Sequence, residues 1–204
     1  EKITKVLIEK GNYFNKSNKV NISFAENPDA DDLIKDFEHY PHAFLLACLM
    51  DRQINSEKAW NIPFKIKTAF QSFSISDLIT RSLEEYVTLF NKNNFHRFNY
   101  LMAEIFYNGI QRIHSIYNDN ASQIWSNSPS SASIVYRILQ FQGAGKKIAT
   151  MAANILARAF KVPMSDYFSI DVSPDTHIKR VFKRIGFINE GDRDDEIIYK
   201  AREL

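Results

Sequence analysis

Apolar residues in this 204-residue chain recur mostly at spacings of three and four, and this feature limits the possible folds more than any other. Such spacing places apolar side chains along one face of a helix, whereas a half-buried strand would alternate them with polar ones. Glycine and proline, which interrupt helices, number only six each. Hydrophobic residues make up 45% of the chain, enough to bury a sizeable core. The pattern predicts an all-α protein built from many short helices.

Capping signals predict where several helices begin. Asn27 followed by Pro28 is typical of a helix start, and this helix is expected to reach about Tyr40. Pro41 then begins an apolar helix that is predicted to end near Ile54. A further start is predicted at Ser76, and Ser82-x-x-Glu85 has the pattern of a capping box.

Predictions for one long helix, one loop and two candidate strands complete the outline of the fold. A helix from about Arg97 to Tyr117 is expected to turn five aliphatic residues inward. These are Leu101, Ile105, Ile110, Ile113 and Ile116. The serine-rich segment from Ser126 to Ser133 is the clearest predicted loop, and Val20–Phe24 and Phe168–Val172 are the only candidate strands.

The cysteine and histidine content and the lack of long apolar runs exclude several classes of protein. Cys48 is the only cysteine, so an intramolecular disulfide, a four-cysteine zinc site and a four-cysteine iron–sulfur cluster within these residues are all excluded. The histidines show no metal-ligand spacing with one another or with Cys48. No apolar run is long enough to span a bilayer, and no signal segment opens the chain. We therefore expect a soluble protein that requires no cofactor and does not bind a membrane.

The segment from Leu139 to Ala149 contains two glycines between two predicted helices, which indicates a helical hairpin. Gly143 and Gly145 permit a positive φ and leave the backbone bare, so the amides of the turn can face an incoming phosphate. Lys146 and Lys147 add positive charge at the same helix N-terminus, where an anion would offset their repulsion with the helix dipole. The alternative is a glycine cap followed by an ordinary helix.

A second informative segment begins at Asp175, which occupies an N-cap position. The apolar residues Ile178, Val181, Phe182 and Ile185 follow at helical spacing and are expected to face the core, whereas Lys179, Arg180, Lys183 and Arg184 are expected to face outward. Residues 134–184 contain nine Lys or Arg and three acids, although the whole chain carries a net charge of only +2. This half of the chain is suited to a DNA backbone.

The two segments together resemble the helix-hairpin-helix DNA glycosylases of the endonuclease III superfamily. The family pattern is approximately Leu-Pro-Gly-Val-Gly-x-Lys-Thr-Ala, then a helix, then Val-Asp-Thr-His-Val-x-Arg-Val-x-x-Arg-Leu-Gly. The residues Phe44 to Ser56 are similar to the apolar helix and glutamine-bearing turn that precede it in the family. The likeness covers roughly residues 40–190. Gln142 and Ile148 depart from it, since the family has Pro and Thr there, and the 28 positions from Lys147 to Asp175 exceed the family spacing by about ten.

The resemblance implies a role for each matching residue. Lys147 matches the family lysine that forms a Schiff base, and Asp175 matches the catalytic aspartate. The implied DNA-binding residues are Gln53, which would fill the gap left by a flipped base, together with Gly143, Ala144, Gly145, Lys146, His177 and Arg180. The backbone carbonyls of Leu139, Phe141 and Ala144 match those that hold a monovalent cation, K⁺ or Na⁺, against a DNA phosphate.

Alternatives stay open for the residues that the resemblance places in or near the active site. Lys147 could contact a phosphate without acting as a nucleophile, and Asp175 could be a helix cap alone. Asp171 is a rival carboxylate four residues earlier, and His177 could be structural. One or two aromatic residues are expected to sandwich the flipped base.

The resemblance also implies an architecture and a function. We expect a central lobe of residues 41–160, with the hairpin at 138–160, and a second lobe of residues 1–40 plus 161–204, with the active site in the groove between them. The implied activity is excision of a damaged or mismatched base from double-stranded DNA, with associated AP lyase activity. A glycosylase without lyase activity and a non-catalytic DNA-binding module are the alternatives. The protein is expected to be a monomer, in the bacterial cytoplasm with the nucleoid or in a eukaryotic nucleus.

Overall fold

The computed structural model describes residues 2–16 and 22–203, and its secondary structure in these ranges is entirely helical. This confirms the predicted all-α class. The helices are α1 Lys2–Lys16, α2 Pro28–Lys35, α3 Pro41–Met50, α4 Ser56–Trp60, α5 Ile62–Phe70, α6 Ile75–Leu78, α7 Leu83–Asn93, α8 Asn99–Tyr117, α9 Ser131–Leu139, α10 Lys146–Arg158, α11 Thr176–Arg184 and α12 Asp194–Arg202, with a 3-10 turn at Ala121–Ile124. Within the described ranges, no helix is long and apolar enough to cross a membrane.

The helix starts form as their capping residues predict. The Asn27 side chain accepts hydrogen bonds from the N–H groups of Asp29 and Ala30, which satisfies donors that the first helical turn would otherwise leave unpaired. Ser82 and Glu85 form a reciprocal capping box at the start of α7. The start predicted at Ser76 lies slightly earlier, because Ser74 is the residue that caps α6.

The core is built around α3, whose ten residues are all buried. A helix that is apolar on every side must be surrounded, and α2, α4, α5, α8, α10 and the 3-10 turn pack around it. The helix ends at Met50 rather than near Ile54 as predicted. The backbone turns immediately afterwards, and Gln53 adopts a left-handed conformation with φ of 56° that a helix cannot include.

The long helix α8 differs from its prediction in which residues it buries. Ile105, Ile110 and Ile113 are buried as expected, but Leu101 and Ile116 are exposed. Aromatic and sulfur-containing residues complete the inward face instead, namely Met102, Phe106 and Tyr117. The helix continues through Gly109, where α3 packs so closely that an added Cβ would lie 2.9 Å from the Leu46 side chain.

The candidate strands do not form among the described residues. Residues 168–172 are irregular, and residues 20 and 21 of the other segment lie outside the described ranges. The predicted serine-rich loop is shorter than expected, since Ser130 caps α9 and the helix begins at Ser131.

Small residues let α10 approach its neighbours closely. Its alanines at 149, 152, 153 and 157 are buried, and the helix packs against α9 and α3. This packing fixes the position of the N-terminus of α10, where Lys146 and Lys147 lie.

The packing of α11 differs from the prediction. We expected four apolar residues to face the core, yet no residue of α11 is buried, and Val181 is 49% exposed. Ile178, Phe182 and Ile185 are half-buried, because α11 lies beside the main core and Phe182 packs on Phe187, with ring centroids 5.0 Å apart.

The division of the chain into lobes of residues 41–160 and 1–40 plus 161–204 stays a prediction.

We expect His42 to make folding stability depend on pH. Burial lowers its pKa to about 4, against the opposing hydrogen bond from Nε2 to the Phe73 carbonyl at 2.7 Å. An unfolded histidine titrates near 6.5, so between about pH 6.5 and 4 the unfolded state binds a proton that the folded state excludes. The free energy of unfolding should therefore fall by about 3 kcal/mol as the pH drops through this window.

Urea unfolding of the wild type and His42→Gln across this pH range checks the prediction. Glutamine can donate to the same carbonyl but does not titrate. The variant should lose the pH-dependent component that the wild type shows, and equal pH slopes for the two proteins would contradict the assignment to His42.

Candidate active site

The connection between α9 and α10 is a tight hairpin formed by residues 140–145. The Ala144 N–H donates to the Phe141 carbonyl at 3.1 Å, which closes the turn. Gly143 has φ of 82°, in the left-handed region, as its residue type suggests. Gly145 differs from the expectation, because its φ of −92° is open to any residue and it serves as the N-cap of α10.

Contacts with α8 hold the hairpin in place. A Cβ added to Gly143 would lie 2.7 Å from Ile105 Cδ1, so this backbone presses directly on the core. Gln142, which stands where the family has a proline, is hydrogen-bonded by Asn108 Nδ2 through its Oε1 and donates from Nε2 to Glu104 Oε1 at 3.3 Å. These side-chain hydrogen bonds restrain the turn in this chain, as a proline ring would at the same position in the family.

We expect Gly143→Ala to disrupt the hairpin, whereas Gly145→Ala should not. Alanine at 143 would combine a left-handed backbone with a close contact to Ile105, which should lower the free energy of unfolding by about 1 to 3 kcal/mol. At 145 an added Cβ meets no atom within 4 Å and φ is negative, so stability should change little. Thermal unfolding of both variants measures the difference, and equal losses would contradict this account of the turn.

Lys147 and Asp175 meet at the centre of the candidate site. The Lys147 Nζ lies 3.4 Å from Asp175 Oδ2. Asp175 is also the N-cap of α11, and its Oδ1 accepts from the N–H groups of His177 and Ile178 at 3.0 and 2.9 Å. One oxygen therefore caps the helix while the other faces the lysine, so the capping and catalytic interpretations of Asp175 are compatible.

The surroundings of Asp175 favour its ionised form. Burial alone would raise the pKa of this carboxyl, but the N–H group of Ile178, the charge of Lys147 and the N–H group of His177 together hold the pKa below its ordinary value. A carboxylate that keeps its charge can stabilise a cation formed beside it.

A cavity of about 280 Å³ opens beside this pair, between the N-terminus of α10, the segment before α11, and α12. Both lysines of the hairpin line it, together with Thr150, Val172, Ser173, Pro174, Asp175, Asp194 and Ile198. The lining combines apolar side chains with the charged pair. A cavity with this lining offers apolar contacts and charged groups to a small ligand.

The rival carboxylate Asp171 is engaged elsewhere. Both of its oxygens accept from Arg202 of α12, at 2.7 and 3.0 Å. This bidentate pair ties the segment before α11 to α12. Among the described residues, Lys147 therefore has its short ion pair with Asp175 and not with Asp171.

The residues predicted to bind DNA outside the hairpin turn are all exposed. Lys146 and Lys147 are exposed at the first turn of α10. His177 and Arg180 are exposed on α11, where Arg180 Nη2 donates to His177 Nδ1 at 2.9 Å. Gln53 is exposed in the turn after α3, and its carbonyl accepts from Arg97 Nη1 at 3.5 Å.

The predicted basic face of α11 is only partly available. Lys179 pairs with Asp194 at 2.6 Å, and Lys183 pairs with Glu190 at 2.7 Å. Acidic residues of α12 and of the loop before it thus neutralise half of the charge that the sequence places on this face.

Asp51 is a residue that the sequence analysis missed. It follows directly after α3, and the Trp60 indole N–H donates to its Oδ2 at 3.4 Å. Its carboxyl is half-buried and lies within electrostatic range of Lys147. The available signal was an acid at the end of a fully apolar helix, two residues before Gln53.

The three carbonyls expected to hold a cation lie along the hairpin. The Phe141 carbonyl accepts from Ala144, whereas no described backbone N–H outside the helices donates to the carbonyls of Leu139 and Ala144. Carbonyl oxygens with free lone pairs are suitable ligands for a hard cation, so the residues present fit K⁺ or Na⁺.

Comparison with known proteins supports the fold. No family model matches the chain, and no curated relative is found. Among solved structures, a trapped covalent intermediate of endonuclease III with DNA, an estranged-adenine complex, matches with a TM-score of 0.57. The match covers 86% of this chain and 74% of the other at 18% sequence identity. The chain therefore has the all-helical fold of endonuclease III.

Proposed function

We propose that this protein is a DNA glycosylase with associated AP lyase activity. The observation that carries the proposal is the Lys147 Nζ at 3.4 Å from Asp175 Oδ2, beside a cavity in a fold shared with endonuclease III. An amine and a fixed carboxylate are the two groups that base removal and Schiff-base formation require. The substrate class is double-stranded DNA that contains a damaged or mismatched base or an abasic site.

Base removal begins with extrusion of the target nucleotide, which costs a few kcal/mol of lost stacking and pairing. Gln53 is suited to occupy the resulting gap, because its exposed side chain projects from a turn at the end of the fully buried α3. The hydrogen bond from Arg97 to the Gln53 carbonyl helps to hold this turn. The extruded base would enter the cavity beside Lys147.

Cleavage of the glycosidic bond builds positive charge on the sugar. The ionised Asp175 carboxylate would stabilise that charge. Lys147, as a neutral amine, would attack C1′ while the base leaves with the bonding electron pair. The ammonium formed at C1′ then loses one proton, and the nitrogen lone pair expels the ring oxygen O4′, which takes up a proton, so that a protonated Schiff base forms. Removal of a proton from C2′ then breaks the C3′–O bond, and the 3′ phosphate leaves by β-elimination.

The hairpin and α11 would bind the DNA backbone on either side of the lesion. Backbone amides at the N-terminus of α10 can donate to a phosphate, and Lys146 adds charge there. On α11, Arg180 and Arg184 have no ion pair with a described acid, so their charge is available to phosphates. A monovalent cation held by the carbonyls of Leu139, Phe141 and Ala144 would supply a bridge to one phosphate.

Borohydride trapping tests the proposal. The protein is incubated with sodium borohydride and duplex DNA that contains one abasic site. A panel of duplexes that each contain one modified base is treated in the same way. We expect a covalent adduct with the abasic duplex, and with each lesion that the protein excises. Release of a base without an adduct would instead identify a glycosylase that lacks lyase activity, and DNA binding without either reaction would identify a binding module.

A further inference from the structure

A second cavity, the α11–α12 cavity, has a volume of about 550 Å³ and lies between α11, α12 and the loop that joins them. A volume of this size is typical of a small-molecule site. Its apolar part comes from Ile188 and Ile197, which are both buried and therefore form the floor of the cavity. Its walls include four basic side chains of α11, namely Lys179, Arg180, Lys183 and Arg184.

The α11–α12 cavity is distinct from the candidate active site. The described residues that line it are all different from those that line the cavity beside Lys147. The two walls meet at one ion pair, because Lys179 lines the α11–α12 cavity and its partner Asp194 lines the cavity beside Lys147. The α11–α12 cavity can therefore hold a ligand of its own.

Three acidic residues at the α11–α12 cavity are each paired with a lysine, so their charges cancel within the pairs. The N–H group of Asn189 also donates to Asp192 at 3.0 Å, which helps to hold the loop between α11 and α12. The pairs are Asp194–Lys179 at 2.6 Å, Glu190–Lys183 at 2.7 Å and Asp192–Lys200 at 2.7 Å.

Arg180 and Arg184 carry the charge that these pairs leave uncompensated. They are four residues apart on one face of α11, so both guanidinium groups can reach one ligand. Arg180 Nη2 donates to His177 Nδ1 at 2.9 Å, which leaves its other N–H groups for a ligand. Within the described part of the chain, the Arg184 side chain has no hydrogen bond or ion pair. The cavity thus has two positive charges that no described acid neutralises.

We propose that the α11–α12 cavity binds a nucleotide through a phosphate monoester, with the phosphate on Arg180 and Arg184 and the ring over Ile188 and Ile197. A phosphate monoester carries a charge of about −1.5 to −2 at neutral pH, which matches the two arginines better than the single charge of a backbone phosphodiester does. Guanidinium groups bind phosphate oxygens through paired N–H donors. The inference goes beyond the proposed function, which assigns these arginines only to phosphates of the DNA backbone.

Two sources offer this group. One is a free nucleoside monophosphate, and the other is a DNA strand that ends in a 5′ phosphate. The β-elimination proposed above leaves such an end on the downstream strand, because the phosphate that leaves C3′ stays attached to the next sugar. Both sources present the same phosphate monoester, so the experiment compares them directly.

Isothermal titration calorimetry with thymidine 5′-monophosphate, and with thymidine as the ligand that lacks the phosphate, tests the inference. We expect the wild type to bind thymidine at least about 10-fold more weakly than the monophosphate, because the charge-assisted hydrogen bonds are lost. The double variant Arg180→Gln, Arg184→Gln should bind both ligands equally weakly. Both arginines are exposed, so the fold should be retained. Lys92→Gln, which removes a positive charge from the last turn of α7, is the matched control and should bind as the wild type does.

Nicked duplexes that carry either a 5′ phosphate or a 5′ hydroxyl at the nick distinguish the sources. A wild-type preference for the 5′ phosphate that the double variant lacks would support the strand end as the source. Binding of the free monophosphate without such a preference would support the free nucleotide.

Lys147→Ala shows which cavity holds the ligand, and it should bind thymidine 5′-monophosphate as tightly as the wild type does. A loss of affinity in Lys147→Ala but not in the double variant would overturn the inference. Equal wild-type affinity for thymidine and its monophosphate, together with no preference for the 5′ phosphate, would also overturn it. These measurements record binding alone, so a wild type that forms no borohydride adduct would contradict the proposed lyase function without affecting this inference.

Discussion

Lys147→Ala should abolish the borohydride-trapped adduct and slow strand cleavage at an abasic site by about 1000-fold or more, since no other described amine is paired with Asp175. The side chain is exposed at the first turn of α10, and alanine is a good helix former, so the fold should be retained. The adduct is quantified on a denaturing gel with abasic duplex in excess.

Lys146→Ala is the matched control for this variant. Lys146 lines the same cavity and has the same side chain, but among the described residues the ion pair with Asp175 is made by Lys147. We expect weaker DNA binding and retention of the adduct at saturating DNA. If Lys147→Ala still forms the adduct, a different amine is the nucleophile. If the variant loses the adduct but still releases a base, Lys147 serves only the lyase step.

Asp175→Asn should lower the rate of base excision by about 100- to 1000-fold while leaving the fold intact. Asparagine is as good an N-cap as aspartate, so the hydrogen bonds to the N–H groups of His177 and Ile178 can persist. The substitution removes only the negative charge that faces Lys147 and the sugar. Single-turnover kinetics on an excised lesion, with circular dichroism to confirm the fold, measure the effect.

Asp171→Asn is the matched control, because it removes a neighbouring carboxylate charge and leaves Asp175 in place. Asp171 is bonded by Arg202, so its loss should reduce stability without slowing the chemical step at saturating substrate. A wild-type excision rate in Asp175→Asn would show that the carboxylate acts only as a helix cap.

Because the pKa of Asp175 is lowered in the folded protein, this carboxylate stabilises the fold at a pH above the ordinary aspartate range. That stabilisation is lost as the pH falls through the pKa of Asp175 in the folded state.

The fold could be predicted from sequence to the level of class, helix starts and hairpin, because these depend on local chemistry. Asn27 and Ser82 cap helices through bonds to residues two or three positions away. Helix ends were less predictable. The end of α3 at Met50 depends on a turn in which Gln53 has a left-handed backbone, and no residue type at that position required it.

Burial also depends on neighbours that a single sequence does not provide. The α11 pattern predicts an apolar face toward the core, but the position of that helix beside the main core leaves Val181 exposed. The pairing of Lys179 with Asp194 likewise joins residues from different helices. Local motifs identified the Lys147 and Asp175 pair, whereas Asp51 becomes visible only when α3 and α10 are packed together.

The burial of Cys48 in the middle of α3 gives this protein a built-in reporter of global opening. It is the only thiol in the chain, it is completely inaccessible, and burial raises its pKa well above the ordinary value. A thiol reagent can therefore react only when the helices around α3 separate. The rate of labelling under native conditions would rank the stability of every variant, without added denaturant and independently of its activity.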